Sequence, residues 1–333
     1  MSSNEYLYAV SRIKALETKL LTKSIVERML EAPTAQDALK ILGETEYGTS
    51  FGEVESVYDF EKVINNELKK TYKVIDESTK NPLFTRLSTL RYDFHNLKVL
   101  IKGEYLGEDY QRITTELGTV PVDKILRAVR EMDYKDLPPF MKQAAEEAVV
   151  DFEFHKDPQR IDLILDRHLF RNLYKTARET GHRFPVEVIS TEIDLININT
   201  FLRARKMGRD ARFLESALLD NGTLDKSLFL ESLNEPLGGF IERLSMGRYG
   251  ELAGEGIQSV EETKSTTALE KMMDDFLLNM VKKGKLAPFG VEPIIGYIKA
   301  RENEGKIIRM IMVGKINQVP ADKIRERLRD VYV

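Results

Sequence analysis

The sequence predicts an all-α fold built from a helical unit repeated three times. Two recurring patterns and one absence carry this expectation. The stretch YDFHNLKVLIKGEYLG at residues 92–107 returns as IDLININTFLRARKMG at 193–208. At a constant offset of 101, Asp93 and Asn96 match Asp194 and Asn197, Leu97 matches Ile198, and Gly107 matches Gly208. Apolar residues at i, i+3 and i+4, closed by a glycine, describe a helix with its C-terminal stop. A second ladder, with a rung every four residues, occurs three times. Its rungs are Phe60, Ile64, Leu68, Tyr72, then Ile161, Leu165, Leu169, Leu173, then Leu269, Met273, Leu277, Val281. No run alternates apolar and polar residues between turn signals, so no strand is expected.

Taken in order, residues 5–31 read as one helix, with Val10, Ile13, Leu16, Leu20 and Leu21 as its apolar face. Pro33 stops it, and Thr34 with Asp37 three residues on reads as a cap for a short helix through Leu42. Residues 43–56, rich in Gly, Thr, Ser and Glu, read as a loop. In each ladder helix the residue after the first rung is acidic (Glu61, Asp162, Glu270), as suits a helix N-terminus. The opening motif follows after a nearly constant interval: 32 residues from Glu61 to Asp93, 32 from Asp162 to Asp194, and 34 from Glu270 to Glu304. Glu304 begins a worn third copy, Glu304, Ile307, Ile308, Ile311, Met312, which lacks the asparagine and has Gly305 in its first turn. Glu17 and Leu21 stand where a degenerate fourth copy would place Asp93 and Leu97.

A third echo places an Asp-Lys pair at a helix start in PVDKILRAV (121–129), TLDKSLFLE (223–231) and PADKIRERL (320–328). Residues 134–141 and 247–267 are variable connections, and the second reads as a mobile loop. These intervals give approximate repeats 57–157, 158–265 and 266–333 in a single domain over 1–333, closed by the N-terminal helices 5–56.

A chain of 333 residues with 42% hydrophobic and 31% charged residues can bury a large core. With no cysteine there is no disulfide and no thiolate chemistry. MSSNEYLYAV has neither the basic start nor the apolar run of a signal peptide, and Arg309 and Lys315 interrupt the most apolar stretch, so a cytosolic protein is expected. A net charge of −4 argues against nucleic acid as a partner.

Motifs for chemistry are missing. There is no phosphate-binding loop, and Gly254 and Gly256 are only a fragment of a dinucleotide fingerprint, better read as loop glycines. His95, His155, His168 and His182 lack metal-ligand spacing. Asp93 and His95, two apart on a helix, point away from each other, whereas Asp93 and Asn96 share a face. That pair reads as an interhelical hydrogen bond or cap repeated with the fold, the other reading being a polar contact with a partner. No catalytic, cofactor-binding or metal-binding residue is assigned. From Lys299 to Val333 nine basic residues face five acidic ones, a solvated face or a cationic surface for an acidic partner or anionic headgroups.

YDFHNLKVLIKGEYLG, DPQRIDLILDRHLFRNL and IDLININTFLRARKMG, with the closing FG-x-EP…Y-x-x-A-R-E…I-R-E-R-L pattern, resemble the C subunit of archaeal and bacterial V-type (A-type) ATPases. The eukaryotic counterpart is the d subunit of the V-ATPase. The most specific residues are Phe289, Gly290, Glu292, Pro293, Tyr297, Glu302, Ile324, Arg325, Glu326, Arg327 and Leu328, and the resemblance spans essentially the whole chain. It implies a funnel of three similar helical lobes around a pseudo-threefold axis. It further implies a non-catalytic rotor part, with no cofactor, seated on the cytoplasmic side of the membrane. Such a part joins the central-stalk subunits D and F to the proteolipid ring and transmits torque between ATP hydrolysis or synthesis and proton or sodium transport. The membrane stator subunit is a further candidate contact. Two competing readings are a free-standing helical adaptor for a soluble protein and an enzyme using the Asp93/Asn96 and Asp194/Asn197 clusters. An enzyme would require a deep pocket with perturbed carboxylates.

Overall fold

The computed structural model describes residues 6–333 except 53, 109 and 264. Glu5, Glu53 and Lys264, within the expected first helix and the two expected loops, therefore lie outside the described residues. The described chain is helical throughout, with no strand. It opens with α1 (Leu7–Glu17), α2 (Lys23–Glu31), α3 (Ala35–Gly43) and α4 (Phe60–Thr79). Then come α5 (Leu83–Leu106), α6 (Val122–Glu131), α7 (Pro139–His155), α8 (Pro158–Glu179), α9 (Arg183–Lys206), α10 (Ala211–Ala217) and α11 (Lys226–Ser232). The chain closes with α12 (Leu237–Ser245), α13 (Gln258–Thr263), α14 (Thr267–Lys283), α15 (Glu292–Ile316) and α16 (Ala321–Arg325).

Two compact units result, one from residues 1–82 with 235–333, the other from 83–234. In the discontinuous unit, α15 is the core: Ile294, Ile298, Ile307, Ile308, Ile311 and Met312 are buried, and α1, α3, α4 and α14 pack around it. In the continuous unit α8 has that position, packed against α5, α7 and α9. Rungs of all three ladders are buried, Leu277 of the third being only half-buried beside buried Leu278.

The long helices α5, α9 and α15 end alike. Gly107, Gly208 and Gln318 have φ of 69°, 63° and 55°. Behind each turn an amide bonds back five residues: Glu108 to Gly103 (3.0 Å), Arg209 to Ala204 (2.9 Å) and Val319 to Gly314 (2.8 Å). This is the Schellman stop, in which a left-handed residue reverses the chain and satisfies free carbonyls. Each left-handed residue lies fourteen positions after the acid at 93, 194 or 304. The three stops therefore share one spacing from these acids, although Gln318 replaces the glycine. Gly305 is in mid-helix without a break, and a Cβ there would come within 3.0 Å of Ile64 on α4.

Several expectations need correction. The first helix is two: α1 stops at Glu17, and α2 starts behind Thr22, whose side chain accepts from the Ile25 amide. Burial of Leu20 and Leu21 between them holds the break. Residues 43–56 include a 3-10 turn, Glu46–Ser50, with Tyr47 buried. The stretch 247–267 is not a mobile loop over its described residues. Leu252–Ile257 form a π-helical turn running into α13, with Tyr249, Leu252, Ala253 and Ile257 buried. Gly256 serves close packing there, since a Cβ would meet the Leu269 side chain at 2.8 Å. Of the 134–141 connection, Pro139, Phe140 and Met141 already belong to α7. The Thr34 cap is as expected, accepting from the Asp37 amide at 3.1 Å.

Candidate functional site

Polar groups recur at corresponding places, and their geometry decides what they can do. Asp93, Asn96 and Asp194 are 0% exposed and Asn197 is 1% exposed, so none offers its carboxylate or amide to solvent. Asp93 Oδ1 accepts from the amides of Thr119 (2.7 Å) and Val120 (2.9 Å), and Oδ2 accepts from the Thr119 hydroxyl (2.7 Å). Asp194 repeats the set with the Thr223 amide (2.8 Å), the Leu224 amide (2.9 Å) and the Thr223 hydroxyl. Each asparagine grips one residue by both backbone groups. Asn96 donates to the Thr115 carbonyl (2.7 Å) and accepts from its amide (2.9 Å). Asn197 does the same with Leu219 (3.0 and 2.8 Å). Burial pushes the Asp93 carboxyl above its ordinary range, against the pull of its three donors.

The clamp therefore pins the loop that enters α6 or α11 to the long helix before it. Glycine makes the approach possible, because a Cβ on Gly118 would fall 2.4 Å from Asp93 Oδ1 and one on Gly222 would fall 2.3 Å from Asp194 Oδ1. A Gly-Thr pair before each short helix was legible in the sequence. It recurs at an offset of 104 rather than 101, so alignment at one constant offset passes over it.

At the third position the clamp is rebuilt from distant chain. Glu304 accepts from the amide of Leu21, just ahead of α2, from the Tyr47 hydroxyl (3.0 Å) and from Arg301 (2.9 Å). Arg301 is 1% exposed, reaches Glu67 of α4 at 3.4 Å and donates to the Tyr297 hydroxyl at 3.0 Å. Burial alone would weaken its hold on the proton, but Glu304 and Glu67 more than reverse this. The helix held here is α2, whereas the Asp-Lys echo at 320–328 forms α16, whose Ile324 packs where a Gly314 Cβ would be, 2.5 Å away. Glu17 does not repeat the clamp; it pairs with Lys14 and receives the Tyr332 hydroxyl.

Glu61 and Glu270 lie in the first turns of α4 and α14 as expected, but Asp162 is the fifth residue of α8, past its first turn. Asp162 of α8 pairs with Lys98 and Lys102 of α5 (3.8 and 3.0 Å), and Glu61 of α4 pairs with Arg309 of α15 (2.6 Å). Lys98 and Arg309 correspond in the register set by the acids at 93 and 304. Glu270 instead receives the Thr266 hydroxyl. The basic excess after Lys299 is likewise spent within the fold. Lys306 and Arg329 hold Asp274, and Arg325 holds Glu27 and Glu31, so this stretch is mainly a set of internal clasps.

The closing motif has a local explanation and an exposed part. Glu292 starts α15, Pro293 fills a first-turn position, and Gly290 turns the chain at φ 151°, where a Cβ would meet Glu292 Oε2 at 2.1 Å. Tyr297 and Glu302 face inward, Glu302 to Lys299 (3.0 Å) and Tyr72 (3.4 Å). Phe289, however, is 51% exposed, beside Leu286 at 88%.

Among the described residues, no three His, Cys, Asp or Glu side chains are grouped to hold a metal ion, and no helix is long and apolar enough to cross a membrane. The buried acids are engaged by backbone amides, hydroxyls, Arg301, Lys14 and Lys70. This is the chemistry of rigid junctions.

Comparison with known proteins places the chain in a family. Residues 9–327 match the family model of the ATP synthase (C/AC39) subunit. The C subunit of the V-type sodium ATPase of Enterococcus hirae is 28% identical, over 96% of this chain and 97% of its own length. The C subunit of the A-type ATP synthase of Methanocaldococcus jannaschii is 28% identical, over 97% of this chain and 86% of its own. That of a Desulfurococcus species is 26% identical, over 98% and 91%. A match from residue 9 to residue 327 takes in both clamps, the Glu304 network and the closing motif up to Arg327, and the chain belongs to the ATP synthase (C/AC39) subunit family.

Proposed function

We propose that this chain is a non-catalytic rotor subunit, a three-lobed socket joining the central stalk of a V-type or A-type ATPase to the proteolipid ring. The observation that carries the reading is the match to C-subunit relatives over nearly the full length of both partners. On this reading the stalk subunits D and F seat on one face and the ring on the other, with the membrane stator subunit as a further neighbour. The protein acts at the cytoplasmic side of the membrane, held there by contacts rather than by a spanning helix. It passes torque between ATP hydrolysis or synthesis and proton or sodium movement. The lobes follow the approximate repeats 57–157, 158–265 and 266–333, closed by the N-terminal helices.

A torque coupler must not yield under load, and the buried clamps suit that demand. Each ties a loop to a long helix through two or more hydrogen bonds to a fully buried carboxylate, which an open state would leave without its donors. The test is association of the purified chain with a D–F pair and, separately, with the detergent-solubilised ring. Binding to both is expected, weakening with salt to the extent that exposed charges contribute. A folded protein that binds neither would refute the socket and leave the free-standing adaptor.

A further inference from the structure

The helix pairs α4–α5 and α8–α9 are joined by three residues each, 80–82 and 180–182, but α14–α15 by eight, 284–291. The fold closes the first two connections without the extra length, so the added residues are free for another purpose. They are GKLAPFGV, and they present Leu286 and Phe289 at 88% and 51% exposure. Lys282 and Lys283 end α14 beside them, and Lys285 is within the segment.

We propose that this tip is an anionic-lipid contact, with Leu286 and Phe289 entering the headgroup boundary and Lys282, Lys283 and Lys285 meeting acidic headgroups. The tip is prearranged. A 3-10 turn is closed by the Ala287 amide on the Gly284 carbonyl at 3.0 Å, Pro288 restricts the backbone beside Phe289, and Lys14 of α1 donates to the Lys285 carbonyl. The Lys285 ammonium is held 5.3 Å from the Tyr332 ring centre. Lys14, the three tip lysines, buried Glu17 and Glu292 together carry an excess of two positive charges. Exposed apolar side chains flanked by ammonium groups match an anionic interface in both layers of its chemistry. An acidic protein surface would satisfy the lysines but would leave a side chain as exposed as Leu286 in need of a pocket. Each lysine near an anionic bilayer is worth roughly five-fold in affinity at low salt, so three give about a hundred-fold preference over a neutral one.

The chain contains no tryptophan, so Phe289→Trp introduces a single reporter. Its emission is expected to shift to the blue with phosphatidylglycerol/phosphatidylcholine vesicles, to be quenched by lipids brominated near the headgroup, and to stay put with phosphatidylcholine alone. In flotation assays, wild-type protein is expected to bind anionic vesicles, and Leu286→Ser/Phe289→Ser to lose at least ten-fold. Lys282→Gln/Lys283→Gln/Lys285→Gln should abolish the lipid preference, with the circular dichroism of all variants unchanged. No blue shift on anionic vesicles, or variants that float like wild type, would overturn the proposal. So would a serine variant that loses only binding to delipidated ring in detergent, since the tip would then be a protein contact. The vesicle readouts need no stalk or ring and stand apart from the socket reading.

Discussion

Replacing Asp93 by alanine and by asparagine separates the geometry of the clamp from its charge. Alanine removes the acceptor of the Thr119 and Val120 amides and of the Thr119 hydroxyl. Val120 is buried, so its amide loses its partner outright, at a cost of about 1–3 kcal/mol. Thr119 is exposed, and water can replace much of what its two donors lose. With the small cavity left beside α5, the expected loss is about 3 kcal/mol. Asparagine keeps the acceptor, because both amides bond to Oδ1, and its Nδ2 can donate to the Thr119 hydroxyl in place of Oδ2. Burial already favours the uncharged side chain here, so asparagine should cost under about 1 kcal/mol. Urea unfolding gives the global figure, and native-state hydrogen exchange reports the amides that open α6, which should lose protection in the alanine variant alone. Equal destabilisation by the two variants would mean that the negative charge, and not the acceptor geometry, holds the loop. An alanine cost below about 1 kcal/mol would refute the clamp altogether.

Further outcomes rest on the same contacts. Gly118→Ala, whose Cβ would lie 2.4 Å from Asp93 Oδ1, should cost about 2 kcal/mol in urea unfolding. Gly107→Ala, with open space around it but φ of 69°, should cost about 1 kcal/mol; the reverse order would show that backbone strain outweighs the steric conflict. Arg301→Leu should destabilise by about 3–5 kcal/mol at neutral pH, because Glu304 stays buried without its cation and Glu67 loses the nearer of its two. That loss should shrink in acid as the Glu304 carboxyl, which burial already pushes up, takes on its proton, and Glu304→Gln in the same chain should recover part of it. Burial by itself would raise the Asp274 carboxyl, but Lys306 and Arg329 hold it below its ordinary 3.8. Its stabilisation is therefore complete above that pH and is lost as pH falls through the lower folded value. Asp274→Asn should flatten the acid limb of a thermal-melting profile, and an unchanged limb would count against the pairing.

Period and spacing were enough to read the class of fold, the three ladders and the long helices α5, α9 and α15, because helical burial writes itself into sequence every three or four residues. The repeat of Asp93 and Asn96 was also legible, and so was its structural character, since two side chains three apart on one helix face suit a cap. The family pattern was legible in the closing motif as well. Tertiary structure alone decided what each repeated group holds. The partners of Asp93 are backbone amides, which any residue type supplies, so sequence cannot name Thr119 and Val120 as the recipients. The Gly118 and Gly222 contacts were hidden because the loops differ in length by three residues. Glu304 reaches back to Leu21 across the chain, and no local pattern encodes a bond between residues so far apart. For the same reason the break between α1 and α2 was missed. An apolar stripe continues across it, and only the Glu304 carboxylate at the Leu21 amide, with Leu20 and Leu21 buried, makes the interrupted path the stable one. Local propensity selects the elements, whereas contacts over long separations choose where they stop and what they grip.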